Sequence, residues 1–296
     1  MSAEAKGIRL LSSGMRLEGV LRLPDERYAA PYPAVVFIHG YSGNMLEYDE
    51  MAGYLCLSGF ATLQFNLRGC SAKSQKGRML CATEWPEDAM NAVSYLAGLA
   101  EIDANRIGIT GCSMGGAITL MMAALDPRIK CAAAMAPVGD GRAVLERAWT
   151  KNKSREDFEA FLKELETDMR QAAESGISRI VDVPYALCFN QKDDADYRQY
   201  RDEHPDMVSC VPLYSVFNSF LFMKPLNHCA DIRIPVLLLH GDADEIVEKR
   251  QSEEIQKRIS APCELKIVRG APHPLPVSEQ AGEVFEAAAG WFAKYL

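Results

Sequence analysis

The stretch from Arg106 to Leu125 constrains what this chain can fold into more than any other. A short β-branched run, Ile107 to Thr110, meets the cluster Gly111-Cys-Ser-Met-Gly-Gly116 and passes into an Ala-, Met- and Leu-rich segment with helical spacing. The pattern predicts strand, sharp turn and helix, with Ser113 at the apex. A serine on so tight a corner has strained backbone angles, and glycines at 111 and 115 remove side chains that would collide with it. Gly116 lets the helix approach the strand, and the helix start turns free N–H groups and a positive dipole end toward any oxyanion formed beside Ser113. The G-x-S-x-G spacing alone is weak, since ordinary Gly and Ser usage gives on the order of 0.1 chance matches in a chain of this size. Context has to carry the reading.

The 296 residues suit one α/β domain with an insertion, and 48% apolar against 24% charged residues is the balance of an ordinary folded protein. A net charge of -8 argues against a nucleic-acid partner. The N-terminal residues lack the apolar core of a secretory signal, and no run reaches the roughly 20 apolar residues of a membrane span. The expectation is a cytoplasmic enzyme. Nine cysteines are scattered without a C-x-x-C pair, which reads as free, mostly buried thiols. Nothing in the sequence fixes an oligomeric state.

Taken in order, Ile8–Leu11 and Met15–Leu23 around Ser12-Ser13-Gly14 predict an N-terminal hairpin. Ala34–His39 and Pro235–His240 are nearly continuous apolar runs, as expected of strands buried on both faces of a parallel sheet; Ala61–Asn66 and the short apolar Cys131–Met135 are further strands. Glu264–Val268 is a further strand. Helices are expected over Met45–Ser58, Glu87–Ala100, Glu248–Ile259 and Ser278–Tyr295. The alternation implies right-handed crossovers with helices on both sheet faces. It breaks between Gly139 and Asp231, where Ser154 and Asp157 cap an acidic helix stopped near Gly176, followed by a polar loop, Gln191–Asp206, and an aromatic stretch, Tyr214–Met223. This segment reads as a cap over the carboxyl ends of the strands.

Ligands of an open parallel sheet bind outside those ends, so the residues just after each strand matter most. Ser113 follows one strand, Asp242 and Asp244 another, and His273 the last. A serine hydroxyl needs a base, an imidazole serves best near neutral pH, and a carboxylate must hold the imidazole's tautomer. The order serine, acid, histidine is the one expected when such a triad is built on this kind of sheet.

From His39-Gly40-Tyr41 through Gly111-Cys-Ser-Met-Gly115 and Gly241-Asp-Ala-Asp-Glu-Ile-Val247 to His273, the chain resembles the α/β-hydrolase-fold serine hydrolases over nearly its whole length. Within them His39-Gly-Tyr-Ser-Gly-Asn44, Asn66-Leu-Arg-Gly69 and the mid-sized cap are similar to feruloyl (cinnamoyl) esterases and dienelactone-hydrolase-like relatives. The resemblance implies a mostly parallel eight-stranded sheet with helices on both faces, a core of residues 1–138 and 232–296, and a cap over 139–231. Its G-x-x-D-x-x-V pattern assigns the acid to Asp244, leaving Asp242 to the turn. It implies an oxyanion hole of the Met114 and Tyr41 N–H groups, the Tyr41 ring also lining the pocket, and a small-molecule ester substrate cleaved through an acyl-enzyme with neither metal nor organic cofactor. Phe217 and Phe220, with Phe222, are candidates to line a substrate pocket, although cap packing uses such residues equally well. The family loop that begins with aspartate begins here with Asn66, ahead of Arg68-Gly69, which removes a charge near the site's floor.

Plainer roles fit other residues. His39 supports its loop, His240 ends a strand, and His204 and His228 lie in the cap. Asp193, Asp194 and Asp196 lack the glycine and distal glutamate of a calcium loop. Cys112 packs beneath the turn. Two other outcomes use the same residues: an amidase, peptidase, thioesterase or acyltransferase, and a binding protein whose triad is idle.

Overall fold

The structure, a computed structural model, describes residues 4–71 and 80–296. The sequence also predicts a loop over Leu67–Ser74 after the strand Ala61–Asn66, and its residues Ala72, Lys73 and Ser74 lie outside the described residues. The chain opens with β1 (Glu4–Ser12) and β2 (Met15–Leu23), joined by a two-residue turn in which Ser13 and Gly14 both have positive φ, 45° and 77°. That geometry matches the twist of paired strands. Then come β3 (Tyr32–Ile38), a 3-10 turn over Met45–Tyr48, α1 (Asp49–Leu57), β4 (Ala61–Phe65), α2 (Trp85–Ala97), β5 (Ile102–Cys112), α3 (Met114–Leu125) and β6 (Ile129–Met135).

After β6 the chain leaves the sheet for α4 (Gly141–Asn152), α5 (Arg155–Ser175), β7 (Ile180–Asp182), α6 (Val183–Ala186), α7 (Gln191–Glu203), β8 (Cys210–Pro212), α8 (Leu213–Val216) and a π-turn over Phe217–Leu221. The capping box of Ser154 and Asp157 opens α5, and Gly176, at φ 72°, closes it. The segment expected as a polar loop is mostly the helix α7, capped by the Asn190 side chain. The chain returns through β9 (Val236–Gly241), α9 (Lys249–Arg258), β10 (Cys263–Val268) and α10 (Ala281–Tyr295).

Eight strands form one sheet in the order β1-β2-β4-β3-β5-β6-β9-β10, antiparallel at β1/β2 and β2/β4 and parallel elsewhere. This is the α/β-hydrolase fold. Residues alternate along β3: Val36 and Ile38 join a core with α2, α3, α9 and the inserted helices, while Val35 and Phe37 join one with α1 and α10. The edge strand β10 is only partly buried, whereas β3, β4, β6 and β9 are buried nearly throughout. No helix among the described residues is long and apolar enough to cross a membrane. All nine cysteines are free, six of them buried.

Glycine matters most at the β5–α3 corner. A Cβ on Gly111 would lie 2.6 Å from Ile38 O, and one on Gly115 would overlap that same carbonyl. The clash expected at Ser113 is thus a clash with the neighbouring strand's backbone, which cannot swing aside. Gly115→Ala should destabilise the protein by about 3 kcal/mol or more. Gly290→Ala, in α10 with nothing within 4 Å of its Cβ position, should stabilise it by about 0.5–1 kcal/mol. Urea unfolding of both variants checks the pair; a tolerated Gly115→Ala would contradict the packing described.

Candidate active site

Ser113 sits at φ 58° and ψ -120°, off every common region for an L-residue. Its backbone is held from both sides: its N–H donates to Met135 O at 2.9 Å, and its carbonyl accepts from Ala117 N at 3.0 Å and Val138 N at 3.2 Å. The strain, of order 1–3 kcal/mol, persists because those bonds fix the corner. Just ahead of it, the Cys112 N–H donates to the Tyr48 hydroxyl at 2.9 Å. Met114 begins α3, whose first N–H groups have no partner within the helix.

The loops after β9 and β10 bring Asp244 and His273 together. His273 Nδ1 donates to Asp244 Oδ2 at 2.8 Å, which leaves Nε2 as the basic nitrogen. The other carboxylate oxygen accepts from Ile246 N and Val247 N, each at 2.9 Å. Burial opposes the charge on Asp244, but the facing His273 together with hydrogen bonds from His240 and His273 outweighs it and holds the carboxyl well below its ordinary range. Buried His240 donates from Nε2 to Val247 O at 2.8 Å, with Asp244 Oδ2 at 3.4 Å, and accepts from Ser252 at Nδ1, 2.7 Å away. Its role is to brace the acid's loop. Asp242 accepts from Gly270 N at 2.6 Å and so ties the two loops to each other.

Because β3 pairs directly with β5, in register Ile38 to Gly111, the loop after β3 runs beside Ser113. A Cβ on Gly40 would stand 3.8 Å from that of Ser113. His39, 1% exposed, donates from Nδ1 to Gly40 O at 2.9 Å and accepts from Leu67 N at Nε2, 3.1 Å away. Carbonyl and N–H point oppositely in a trans peptide. Fixing Gly40 O therefore fixes the direction of the Tyr41 N–H as well.

Ser113 and His273 line one cavity of about 200 Å³, together with Tyr41, Met114 and Phe220. The Tyr41 hydroxyl lies 3.2 Å from Ser215 Oγ, and its ring meets Phe220 edge-on at 4.9 Å. Phe217 is not part of the lining: half-buried, it packs against the main core, with its ring on Phe222 at 5.5 Å. The sequence reading missed Glu47, Tyr48, Tyr197 and Tyr200, all of which line the cavity. Two of these sit on α7, whose start is signalled by Asn190 with Asp193 three residues on. Cys112 also reaches the wall, its thiol pushed up by burial. His204 ends α7 stacked on Tyr200, and half-buried His228 sits in the turns before β9. Asp194 pairs with Arg198 along α7, and among the described residues no group of His, Cys, Asp and Glu could hold a metal.

The family model described as Hydrolase_4, serine aminopeptidase, S33, matches residues 29–280. An uncharacterized 31.7 kDa protein of the traX-finO intergenic region of Escherichia coli is 26% identical over 294 residues, 97% of this chain and 98% of that protein. The crystal structure of hypothetical protein PA2218 from Pseudomonas aeruginosa aligns with a TM-score of 0.82 at 24% identity, over 100% of this chain and 94% of that one. The α/β hydrolase GrgF from Penicillium sp. sh18 aligns at 0.80 and 18% identity, over 99% of both chains. These two structures share the fold.

Burial pushes His39 down to about 4, against the opposing pull of its bond to Gly40. The unfolded chain takes up the proton near 6.5, so this group costs nothing above that pH and destabilises the folded state as pH falls toward 4. Over that window the loss is on the order of 3 kcal/mol. Urea unfolding of wild type and His39→Gln between about pH 7 and about pH 4 should give the steeper decline in wild type; parallel declines would remove the neutral imidazole from the account.

Proposed function

The chain belongs to the serine aminopeptidase S33 family (Hydrolase_4) of α/β hydrolases, and we propose that within it the protein hydrolyses carboxylic esters through an acyl-enzyme. Ser113 Oγ attacks the ester carbonyl while His273 Nε2 takes its proton. The resulting oxyanion accepts hydrogen bonds from the Met114 and Tyr41 N–H groups. His273 then returns the proton to the departing alcohol, activates a water against the acyl-enzyme, and protonates Ser113 as the acid leaves. Asp244 keeps the imidazole in the tautomer that does this and stabilises the imidazolium. Residues 139–231 act as a cap, and Val144, Leu145, Leu187 and Phe220 give the cavity an apolar wall suited to an acyl or aryl group such as a hydroxycinnamoyl. The reading needs no metal and no organic cofactor.

The observation that carries this reading is the 2.8 Å bond from His273 Nδ1 to Asp244 Oδ2 at the edge of the cavity that Ser113 lines. A second reading, cleavage of an amide or peptide by the same groups, draws support from the serine aminopeptidase description of the family. A panel of ester, amide and thioester substrates sharing one acyl group separates the two.

Ser113→Ala should lower ester turnover at least about a thousandfold with the thermal transition unchanged. A fluorophosphonate probe should label wild type at Ser113 and leave the variant unlabelled, by intact-protein mass spectrometry. Retained turnover in a folded Ser113→Ala protein would refute the nucleophile assignment.

A further inference from the structure

The cavity holds a carboxylate to which the proposed reaction gives no role. Of the acidic side chains lining it, Glu245 is paired with Lys151, and Asp193 accepts from Asn190 Nδ2 at 2.7 Å. Glu47 meets no lysine or arginine among the described residues. It folds over Gly43, into the space a Cβ there would fill.

Its position in the cavity follows from its neighbours. The 3-10 turn carrying Glu47 packs against the turn Leu275–Val277, just past His273, and Glu47 feels the His273 charge. His273 must hand its proton to the leaving oxygen, so the alcohol half of a substrate lies on this side. Around Glu47 stand three phenol rings that line the same cavity, Tyr48, Tyr197 and Tyr200, each within electrostatic reach of its carboxylate. A carboxylate among aromatic rings, with no lysine or arginine beside it, suits a cationic nitrogen.

The geometry points to a leaving-group subsite in which Glu47 supplies the counter-charge and Tyr48, Tyr197 and Tyr200 the aromatic wall for an ammonium group, making the substrate an ester of a cationic alcohol. This rests on the hydrolase reading above. Besides His273 and the three tyrosines, the titratable groups facing Glu47 are Cys70 and Cys112. Burial pushes the Glu47 carboxyl up to about 7 against the pull of the Gly40 and Asn44 N–H groups and of His273. Its charge, and with it the preference for a cation, therefore grows as pH rises through that value.

The test compares butyrylcholine with neohexyl butyrate, a neutral ester of the same shape, and with a neohexyl ester whose acyl chain carries the trimethylammonium group. Wild type should favour butyrylcholine over neohexyl butyrate in kcat/KM by at least about tenfold. Glu47→Gln should bring that ratio toward one, and the ratio cancels any general effect on the neighbouring oxyanion loop. An equal ratio in both proteins, no preference in wild type, or a preference for the cationic acyl chain would overturn the subsite. So would failure on every ester by a protein whose Ser113 still reacts with the fluorophosphonate; failure of that labelling would instead count against the hydrolase reading.

Discussion

The carbonyl oxygen of Ile38 stands where the side chains of residues 111 and 115 would begin, and this crowding of backbone on backbone governs the rest of the molecule. It exists because β3 and β5 pair in parallel register up to their carboxyl ends and α3 starts at once above them. Two glycines let the three segments meet, and the meeting forces Ser113 into its unusual dihedral angles. The same contact brings the loop after β3 alongside the hydroxyl. The proposed nucleophile and its oxyanion donors are thus positioned by one packing event, and the cost of the strained serine is offset by two strongly apolar sheet faces.

Beneath that loop lies a polar scaffold that holds it without entering the cavity. His39 links the Gly40 carbonyl to the Leu67 N–H, and the next residue, Arg68, is anchored by both its backbone and its guanidinium to fully buried Asp88, at 2.6–2.9 Å. Asn66, where the resembling family has an aspartate, accepts from the Met45 N–H at 3.0 Å. The departure therefore has a local use. A neutral amide there ties the 3-10 turn bearing Glu47 to the end of β4 without adding a second negative charge close by.

What the sequence made legible follows from which signals are local. Ala34–His39 and Pro235–His240 read as strands because burial on both faces leaves a nearly unbroken apolar run, Ala61–Asn66 is a strand although buried Thr62 and Gln64 interrupt its apolar residues, and Ser113 stands out because its flanking glycines join a strand-like run to a helical one. The helix α7 hid because none of its residues is buried, so no apolar stripe marks its period. The strands β7 and β8 hid because three residues each, Ile180–Asp182 and Cys210–Pro212, carry too little alternation to register. Residue type alone points to Phe217 at the pocket, and type does not separate a lining ring from one packed against the core, as Phe217 is. Glu47 was missed for a different reason: a glutamate in the first turn after an asparagine cap looks like an ordinary helix start, and its meaning comes only from Tyr197 and Tyr200, some 150 residues distant in the chain.

Two carboxylates flank His273, and their surroundings drive them in opposite directions. Asp244 accepts from two backbone N–H groups and from His273, and His273 and His240 hold its carboxyl well below the ordinary range against its burial. Glu47 lies on the cavity wall with no lysine or arginine partner, and burial lifts it to about 7. Environments that separate two acids in this way suit them to different tasks: in the proposed reaction Asp244 orients His273, and Glu47 is left to the proposed subsite. An anionic ligand would meet Glu47 as repulsion, a neutral one would leave it half-protonated near neutral pH, and a cationic one would draw out its proton and complete the pair. Of these three, the last gives the carboxylate the partner that the protein withholds.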